Sequence, residues 1–273
     1  MKMAVSTVAC MDASWQDVLS CAVQARMDAV EIRLNDDGSV FGLADVGITE
    51  MARAYHDSGV AISDLGTSVR FSEYDEKALE RAERAIILAE KTGATAIRVF
   101  PGSFVKRFSA EATHDIDGMA RFLREASAVA EKHSVEIWIE THNEFSTGKS
   151  LRCLLDKTDC ANVKVIWDLI HPYEYGERPE DTIRLLNGAI AHVHVKDGKK
   201  ATDADCIDYI YTKLGEGEIP LSSMFDLLKS AGYDGYYSLE WEKEWRPEIR
   251  SIYGSTQALL TDWNAYLSRV EER

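Results

Sequence analysis

The sequence of 273 residues predicts one α/β domain, residues 1–273, folded as a (β/α)8 TIM barrel. Short apolar runs alternate with helical stretches, and such repeats imply a parallel sheet with right-handed crossovers. Eight units within about 250 residues close into a barrel more readily than they form an open sheet. A dinucleotide-binding sheet is further disfavoured because no glycine-rich GxGxxG loop follows the first strand.

The first half of the chain is predicted from its hydrophobic periodicity. Val30, Ile32 and Leu34 alternate with polar residues, which is typical of a strand. Gly59 and Gly93 follow amphipathic stretches and end two predicted helices. The predicted strands are Met3 to Cys10, Asp28 to Leu34, Val60 to Gly66 and Ala94 to Gly102. The predicted helices are Trp15 to Met27, Ile48 to Gly59, Tyr74 to Thr92 and Ile116 to His133.

The second half contains four short apolar runs, and each run carries near its end a residue that can bind a metal. These runs are Val135 to Asn143, Val163 to His171, Ile190 to Asp197 and Tyr236 to Glu242. Helices are predicted near Lys149 to Asp156, Pro179 to Asn187, Leu221 to Gly232 and Pro247 to Arg269. The eighth strand–helix unit completes the predicted barrel.

Composition restricts the class of partner. The net charge of −15 repels a phosphate backbone, so nucleic acid is not expected as a partner. No apolar run approaches the roughly 18–20 residues of a membrane span, and no secretory signal is visible. The five cysteines form no CxxC pair, which predicts reduced thiols. The expected location is therefore the cytoplasm.

Alternation along the strands places charged residues inside the predicted barrel. Barrel interiors are normally apolar, and buried charges are tolerated when they pair or bind a cation. The strand ends, where barrel enzymes place their chemistry, carry three acids and one imidazole: Glu140, Asp168, His194 and Glu240. Taken singly, either glutamate is as well explained by an ion pair, and Asp168 by a helix cap. Together they predict one divalent metal ion, with Mn²⁺ favoured and Mg²⁺, Co²⁺ or Zn²⁺ as alternatives.

Five motifs carry a resemblance to a known family: IETHN, WDLIH, HVHVKD, LGEGEIP and SLEWE. In order and spacing they resemble the xylose isomerase-like TIM barrel superfamily, the sugar phosphate isomerase/epimerase group. The resemblance implies a single ion on Glu140, Asp168, His194 and Glu240, with His192 deeper in the barrel. It also implies that Glu140 and Glu240 are the catalytic acid and base, acting through a metal-stabilised cis-enediolate.

Five further residues are predicted to bind substrate, and four of them have an ordinary alternative. His171 is otherwise a loop or capping residue, and Lys196, with Asp197 at the pocket rim, is otherwise a surface ion pair. Arg98 points inward and is otherwise a partner of Glu31. The remaining two are His142, which lies on the same face as Glu140, and Trp245, which is equally explained by outer packing.

The family contains members that this chain does not match. The strand ends SDLGTS and RVFPGS lack the additional histidines that the resemblance implies for the DNA-repair branch. Asp197 is followed by lysines, so the second metal site of true xylose isomerases is not clearly supplied. DNA repair is therefore disfavoured.

Three function classes remain open. The leading hypothesis is an isomerase or epimerase acting on a small sugar or keto-sugar. The second is a dehydratase of the 3-dehydroshikimate or keto-cyclitol type, which would use an inward arginine such as Arg98 to bind a carboxylated substrate. The third is a non-catalytic sugar-binding barrel. A homodimer is expected only from the resemblance.

Overall fold

Eight parallel strands close into a barrel, as predicted. The computed structural model describes residues 1–104, 114–201 and 209–272. In these ranges the strands are β1 (Lys2–Ser6), β2 (Ala29–Arg33), β3 (Ala61–Phe71), β4 (Ala96–Pro101), β5 (Glu136–Glu140), β6 (Val163–Asp168), β7 (Ile190–Val195), β8 (Asp197–Lys200), β9 (Tyr209–Thr212) and β10 (Tyr236–Leu239). The barrel order is β1-β10-β7-β6-β5-β4-β3-β2, and β1 closes it by pairing with both β2 and β10.

Helices surround the barrel, and their ends follow the capping residues in the sequence. They are α1 (Trp15–Gln24), α2 (Asp45–Ser58), α3 (Glu76–Thr92), α4 (Ile116–Lys132), α5 (Gly148–Thr158), α6 (Ile170–Glu174), α7 (Pro179–Leu186), α8 (Leu221–Ser230) and α9 (Thr256–Glu271). Ser14 caps α1 by accepting from the Asp17 amide. Gly59 and Gly93 end α2 and α3 with φ of 75° each, the left-handed conformation that favours glycine.

The two faces of the barrel wall differ in chemistry. Outward residues such as Ile97, Val99, Ile137 and Ile139 are fully buried in the large apolar core. Inside the barrel, a small separate cluster of Ala96, Trp138 and Ile166 packs together. Buried polar side chains also project from the strands, among them Glu31, Asp64, Arg98, Glu140, Asp168, His192 and His194. The interior therefore has an apolar part and a polar part, and the polar part holds the strand-end residues predicted to bind a metal.

Strand register brings Asp168 and His194 to one level. His194 of β7 pairs with Asp168 of β6 on one side and with Ser238 of β10 on the other. Glu140 ends β5 and pairs with Ile166 of β6. Because carboxyl ends of parallel strands meet at the same edge, these side chains share the mouth of the barrel.

Two predicted bounds were wrong, and one hairpin was not predicted. The first strand ends at Ser6, because Thr7–Cys10 form a short 3-10 turn in which the Thr7 hydroxyl accepts from the Arg33 amide at 2.7 Å. The last helix begins at Thr256 rather than Pro247, where the Ser255 side chain caps it by accepting from the Ala258 amide. The hairpin β8–β9 is an addition that the alternating pattern did not indicate. The described helices contain no segment long and apolar enough to span a bilayer.

Candidate metal centre

Glu140, Asp168, His194 and Glu240 converge at the mouth of the barrel. The first three come from the ends of β5, β6 and β7, and Glu240 directly follows β10. One ligand atom from each lies within 4.8 Å of the other three. None of the four residues is more than 5% exposed. The structure thus brings together all four residues that the sequence singled out for a shared ion.

His194 is held between two sets of carboxylates. Its Nδ1 lies 3.2 Å from Glu240 Oε2, 3.4 Å from Glu140 Oε1 and 4.0 Å from Asp168 Oδ2. Its Nε2 lies 2.9 Å from Glu31 Oε2 on the opposite side. Nδ1 makes no hydrogen bond within the described chain, although it is buried. The imidazole therefore presents Nδ1 to the acids of the quartet.

The donor set fits a divalent cation. Three carboxylates and one imidazole form a hard, oxygen-rich site, with no thiolate among the four. His194 Nδ1 is buried and has no hydrogen-bond partner in the described ranges. Buried polar atoms normally have partners, so this nitrogen, which faces the three carboxylates, indicates that a cation belongs between them. Asp168 also serves as a cap, because its Oδ1 accepts from the Ile170 amide at 3.0 Å.

Two buried cations lie against the same acids. Arg98 Nη1 is 3.2 Å from Glu140 Oε2, 3.2 Å from Glu240 Oε1 and 3.6 Å from Glu31 Oε1. The alternative pairing of Arg98 with Glu31 is thus present, together with contacts to two acids of the quartet. The contacts with Glu31 and with the quartet acids both hold the guanidinium of Arg98, and its positive charge, at the mouth of the barrel.

Lys196 is the second cation, and it is 1% exposed. Its Nζ lies 2.5 Å from Glu240 Oε2 and 2.8 Å from Asp168 Oδ2, and it also contacts Glu242. The Tyr211 hydroxyl, contributed by the hairpin, donates to Glu242 at 3.4 Å. The hairpin therefore contributes to the surroundings of Lys196, which lies within the site rather than in a surface ion pair.

Mutual charges determine the protonation of these groups. Burial disfavours the charged form of His194, but Glu240, Glu31 and Glu140 outweigh burial and raise its pKa well above the usual 6.5. Burial also disfavours ionised Glu240, and His194, Lys196 and Arg98 outweigh it and hold the pKa of Glu240 well below its usual value. Burial raises the pKa of Asp168 to about 6, against the opposing effect of Lys196. The cations therefore keep Glu240 ionised.

The two predicted pocket histidines are adjacent. His171 Nδ1 donates to the Thr141 carbonyl at 2.6 Å and lies 3.7 Å from Asp168 Oδ2. The His142 ring packs edge-on against His171, with centroids 4.7 Å apart, and also contacts Phe100. His142, His171 and Glu140 have ligand-type atoms within 4.8 Å of one another. The pair thus borders the quartet.

Trp245 is placed differently. It lies in the turn after β10, where its amide donates to the Glu242 carbonyl, and it is 52% exposed. The structure does not bring it into the buried cluster, so its role in binding substrate stays a prediction. Sequence reasoning also overlooked Glu242 and Thr141, although both lie in the quoted motifs SLEWE and IETHN.

Asp197 does not line the pocket rim, contrary to the prediction. Its carboxylate accepts from the amides of Gly198, Gly215, Gly217 and Ile219 at 2.8 to 3.3 Å. A Cβ on Gly217 would lie 1.9 Å from Asp197 Oδ1, so only glycine fits there. The LGEGEIP motif is thus a loop wrapped around one carboxylate.

Replacing Asp197 with alanine is expected to lower the free energy of unfolding by roughly 1–3 kcal/mol, because buried amides lose their acceptor. Urea denaturation of the purified protein measures the change. Asp234→Ala, an exposed acid, serves as the control and should shift stability by less than about 0.5 kcal/mol. Equal stability of the two variants would show that the loop does not depend on Asp197.

Reduced thiols stay a prediction for the cysteines. Cys10, Cys21, Cys153 and Cys160 are free, whereas Cys206 lies outside the described residues. Burial raises the pKa of Cys10 to about 12. Cys10 is thus a thiol at neutral pH, and a nucleophilic role has no support in its surroundings.

The chain matches a family model and several curated proteins. The family model described as xylose isomerase-like TIM barrel matches residues 20–261. A 3-dehydroshikimate dehydratase of Bacillus anthracis is 28% identical over 190 residues, which make up 65% of each chain. The chain spans a little under two thirds of the length of the first curated relatives it matches.

Solved structures share the fold at low sequence identity. The IolI protein with a bound zinc atom has a TM-score of 0.82 and 18% identity, covering 100% of this chain and 99% of its own. A D-psicose 3-epimerase of Clostridium cellulolyticum H10, solved with D-tagatose, has a TM-score of 0.78 and 19% identity with the same coverage. At these identities the similarity establishes the fold alone.

Proposed function

The chain belongs to the xylose isomerase-like TIM barrel family, and from this premise we propose that it is a metal-dependent enzyme that removes a proton beside the ketone of a small polyhydroxylated substrate. The convergence of Glu140, Asp168, His194 and Glu240 within 4.8 Å supports the metal centre. A divalent cation held by these four residues would supply Lewis-acid polarisation of the ketone, which acidifies the neighbouring C–H bond.

Glu140 and Glu240 are the proposed bases. Both carboxylates are buried, and the neighbouring cations keep Glu240 ionised and able to accept a proton. A buried base close to its substrate carbon is effective because water does not compete for the proton. Transfer of the proton to one glutamate leaves an enediolate as the common intermediate of epimerisation and dehydration.

Of the two outcomes, we propose dehydration. Arg98 and Lys196 place two buried cations beside the quartet, where a divalent ion on the acids would release them for an anionic substrate, and this observation carries the proposal. Two such cations suit a substrate with a carboxylate, since charge-assisted hydrogen bonds to carboxylates are strong. The curated relatives with named activities include 3-dehydroshikimate and inosose dehydratases, which adds support. The proposed substrate is therefore a small cyclic hydroxyketone carrying a carboxylate.

Dehydration requires a proton for the leaving hydroxyl. The glutamate that took the C–H proton can give it to the hydroxyl on the β-carbon, so that the C–O bond breaks, water leaves and a C=C bond forms. Epimerisation differs only in the next step, in which the second glutamate returns a proton to the opposite face of the same carbon. It remains the second candidate because Glu140 and Glu240 reach the centre from different strands.

The reaction is tested by incubating the protein with Mn²⁺ in D₂O and a panel of 3-dehydroshikimate, inososes and ketoses. The expected result is loss of one water and a new conjugated absorbance with the carboxylated substrate. Deuterium incorporation at one carbon of a stereoisomer, without loss of water, would instead identify an epimerase. If no substrate exchanges or changes, and EDTA-treated protein behaves identically, the proposed function is wrong.

The proposal also covers the metal ion, the partner, the location and the oligomeric state of the protein. Mn²⁺ is proposed as the native ion, and a buried group suited to a metal supports a cation without identifying it. A small molecule is the proposed partner, in agreement with a site inside the barrel mouth. The cytoplasmic location and the homodimer stay predictions.

A further inference from the structure

We propose that Glu31 is a positioning residue that fixes His194 so that its Nδ1 faces the cation. The inference rests on the metal centre of the proposed function but not on the reaction performed there. Glu31 lies on β2, the strand across β1 from β10, and was noted in the sequence only as an alternative partner of Arg98. Glu31 is fully buried, with an exposure of 0%.

The first observation is the contact itself. Glu31 Oε2 lies 2.9 Å from His194 Nε2, and both residues are fully buried. An ionised carboxylate only accepts hydrogen bonds, so the proton of this bond belongs to Nε2. With the proton on Nε2, the neutral ring has its lone pair on Nδ1, the nitrogen that faces Glu140 and Glu240. A cation bound there would take the place of a proton on Nδ1. Glu31 therefore selects the nitrogen that can act as a ligand.

The second observation is that the Glu31 carboxylate is itself held in place. The Ser6 hydroxyl donates to Oε1 at 3.0 Å and the Ser238 hydroxyl donates to Oε2 at 3.4 Å. Gly66 closes one side, where a Cβ would lie 3.2 Å from Glu31 Oε1 and 3.2 Å from Arg98 Nη2. Residues from three neighbouring strands thus fix the direction in which Glu31 points.

An ordinary ion pair with Arg98 does not explain this arrangement as well. Arg98 Nη1 lies 3.6 Å from Glu31, farther than the 3.2 Å to either Glu140 or Glu240. The shortest described contact of Glu31 is the one with His194. Carboxylates that hold the second nitrogen of a metal-binding histidine typically contribute about 10–100-fold in metal affinity.

The test is direct measurement of Mn²⁺ binding to Glu31→Gln by calorimetry, without substrate. The Kd for Mn²⁺ is expected to rise by about 10–100-fold. Glutamine fills the same volume without the charge, so its amide oxygen accepts from Nε2 more weakly than the carboxylate does, while its amide nitrogen can donate to the other tautomer, whose proton on Nδ1 blocks the ligand nitrogen. Nitrogen-15 NMR of the Zn²⁺-loaded protein reports the tautomer of His194, and a change there would not follow from a merely structural role.

The matched control is Asp64→Asn, another fully buried acid-to-amide change in the same interior. Asp64 Oδ1 lies 4.0 Å from His192 Nε2, and no described hydrogen bond or ion pair joins Asp64 to the quartet. Burial, together with Glu31, raises the pKa of Asp64 well above its usual value, so little charge is lost. Its Kd for Mn²⁺ should stay within about twofold of the wild type.

Two outcomes would overturn the proposal: an unchanged Kd in Glu31→Gln, or the same loss in both variants. If Glu31→Gln does not fold, Glu31→Asp decides, since it keeps the charge but withdraws the carboxylate by one methylene. An unchanged Kd and tautomer in folded Glu31→Asp would likewise overturn it. Because substrate is absent throughout, an error in the proposed reaction leaves this result intact.

Discussion

Glu140→Gln is expected to lower kcat by about 10²–10⁴-fold, the contribution typical of a positioned general base. The change removes a proton acceptor and a charged ligand while keeping the side-chain volume, so the fold should persist. The Kd for Mn²⁺ should rise as well, because one of the three carboxylates of the quartet becomes a neutral amide. Steady-state rates on the substrate identified by the D₂O panel measure the effect at saturating Mn²⁺.

The matched control for this prediction lies on the same strand. Glu136 starts β5, and its Oε2 accepts from the Trp138 indole at 2.7 Å, at the opposite end from the site. Glu136→Gln should leave kcat within about twofold. Deuterium exchange that continues at the wild-type rate in Glu140→Gln would assign the base to Glu240 instead, and the same experiment on Glu240→Gln would decide between them.

Lys196→Met is expected to lower the free energy of unfolding in EDTA by about 3–5 kcal/mol. Removing one member of a buried charge cluster leaves the remaining charges uncompensated, and such changes have costs of that size. Here Asp168 and Glu240 would lose a cation that lies within 2.8 Å of each. Urea denaturation measures the loss. Mn²⁺ should recover part of it, because a divalent ion neutralises the same carboxylates.

Lys199→Met provides the control, since Lys199 is exposed on β8 and only three positions away. Its stability should change by less than about 0.5 kcal/mol, and Mn²⁺ should affect it as it affects the wild type. A loss below about 1 kcal/mol in Lys196→Met would mean that Lys196 does not balance the charge of the site. Recovery by Mn²⁺ that is no larger in Lys196→Met than in Lys199→Met would mean that the ion binds elsewhere.

The sequence by itself determined the architecture and the identity of the four converging residues. Alternation along a strand assigns each side chain to one face, and parallel strands in a barrel bring their carboxyl ends to one edge. These rules were sufficient to place Glu140, Asp168 and His194 at the same edge of the barrel. Strand alternation relates neighbouring residues, and the barrel repeat relates successive strand–helix units. Both patterns can therefore be recognised in a single sequence.

Tertiary structure alone decided how the charges pair. Arg98 contacts Glu240 across 142 positions of sequence, and His194 contacts Glu31 across 163. Lys196 lies buried against the quartet, and Asp197, one position later, holds a loop through backbone amides. No local pattern separates these two roles, because each depends on which distant strand the closed barrel places opposite the side chain. A buried charge is no longer solvated by water, so it is stabilised only by the groups that the closed barrel places beside it. Burial therefore determines which charges pair.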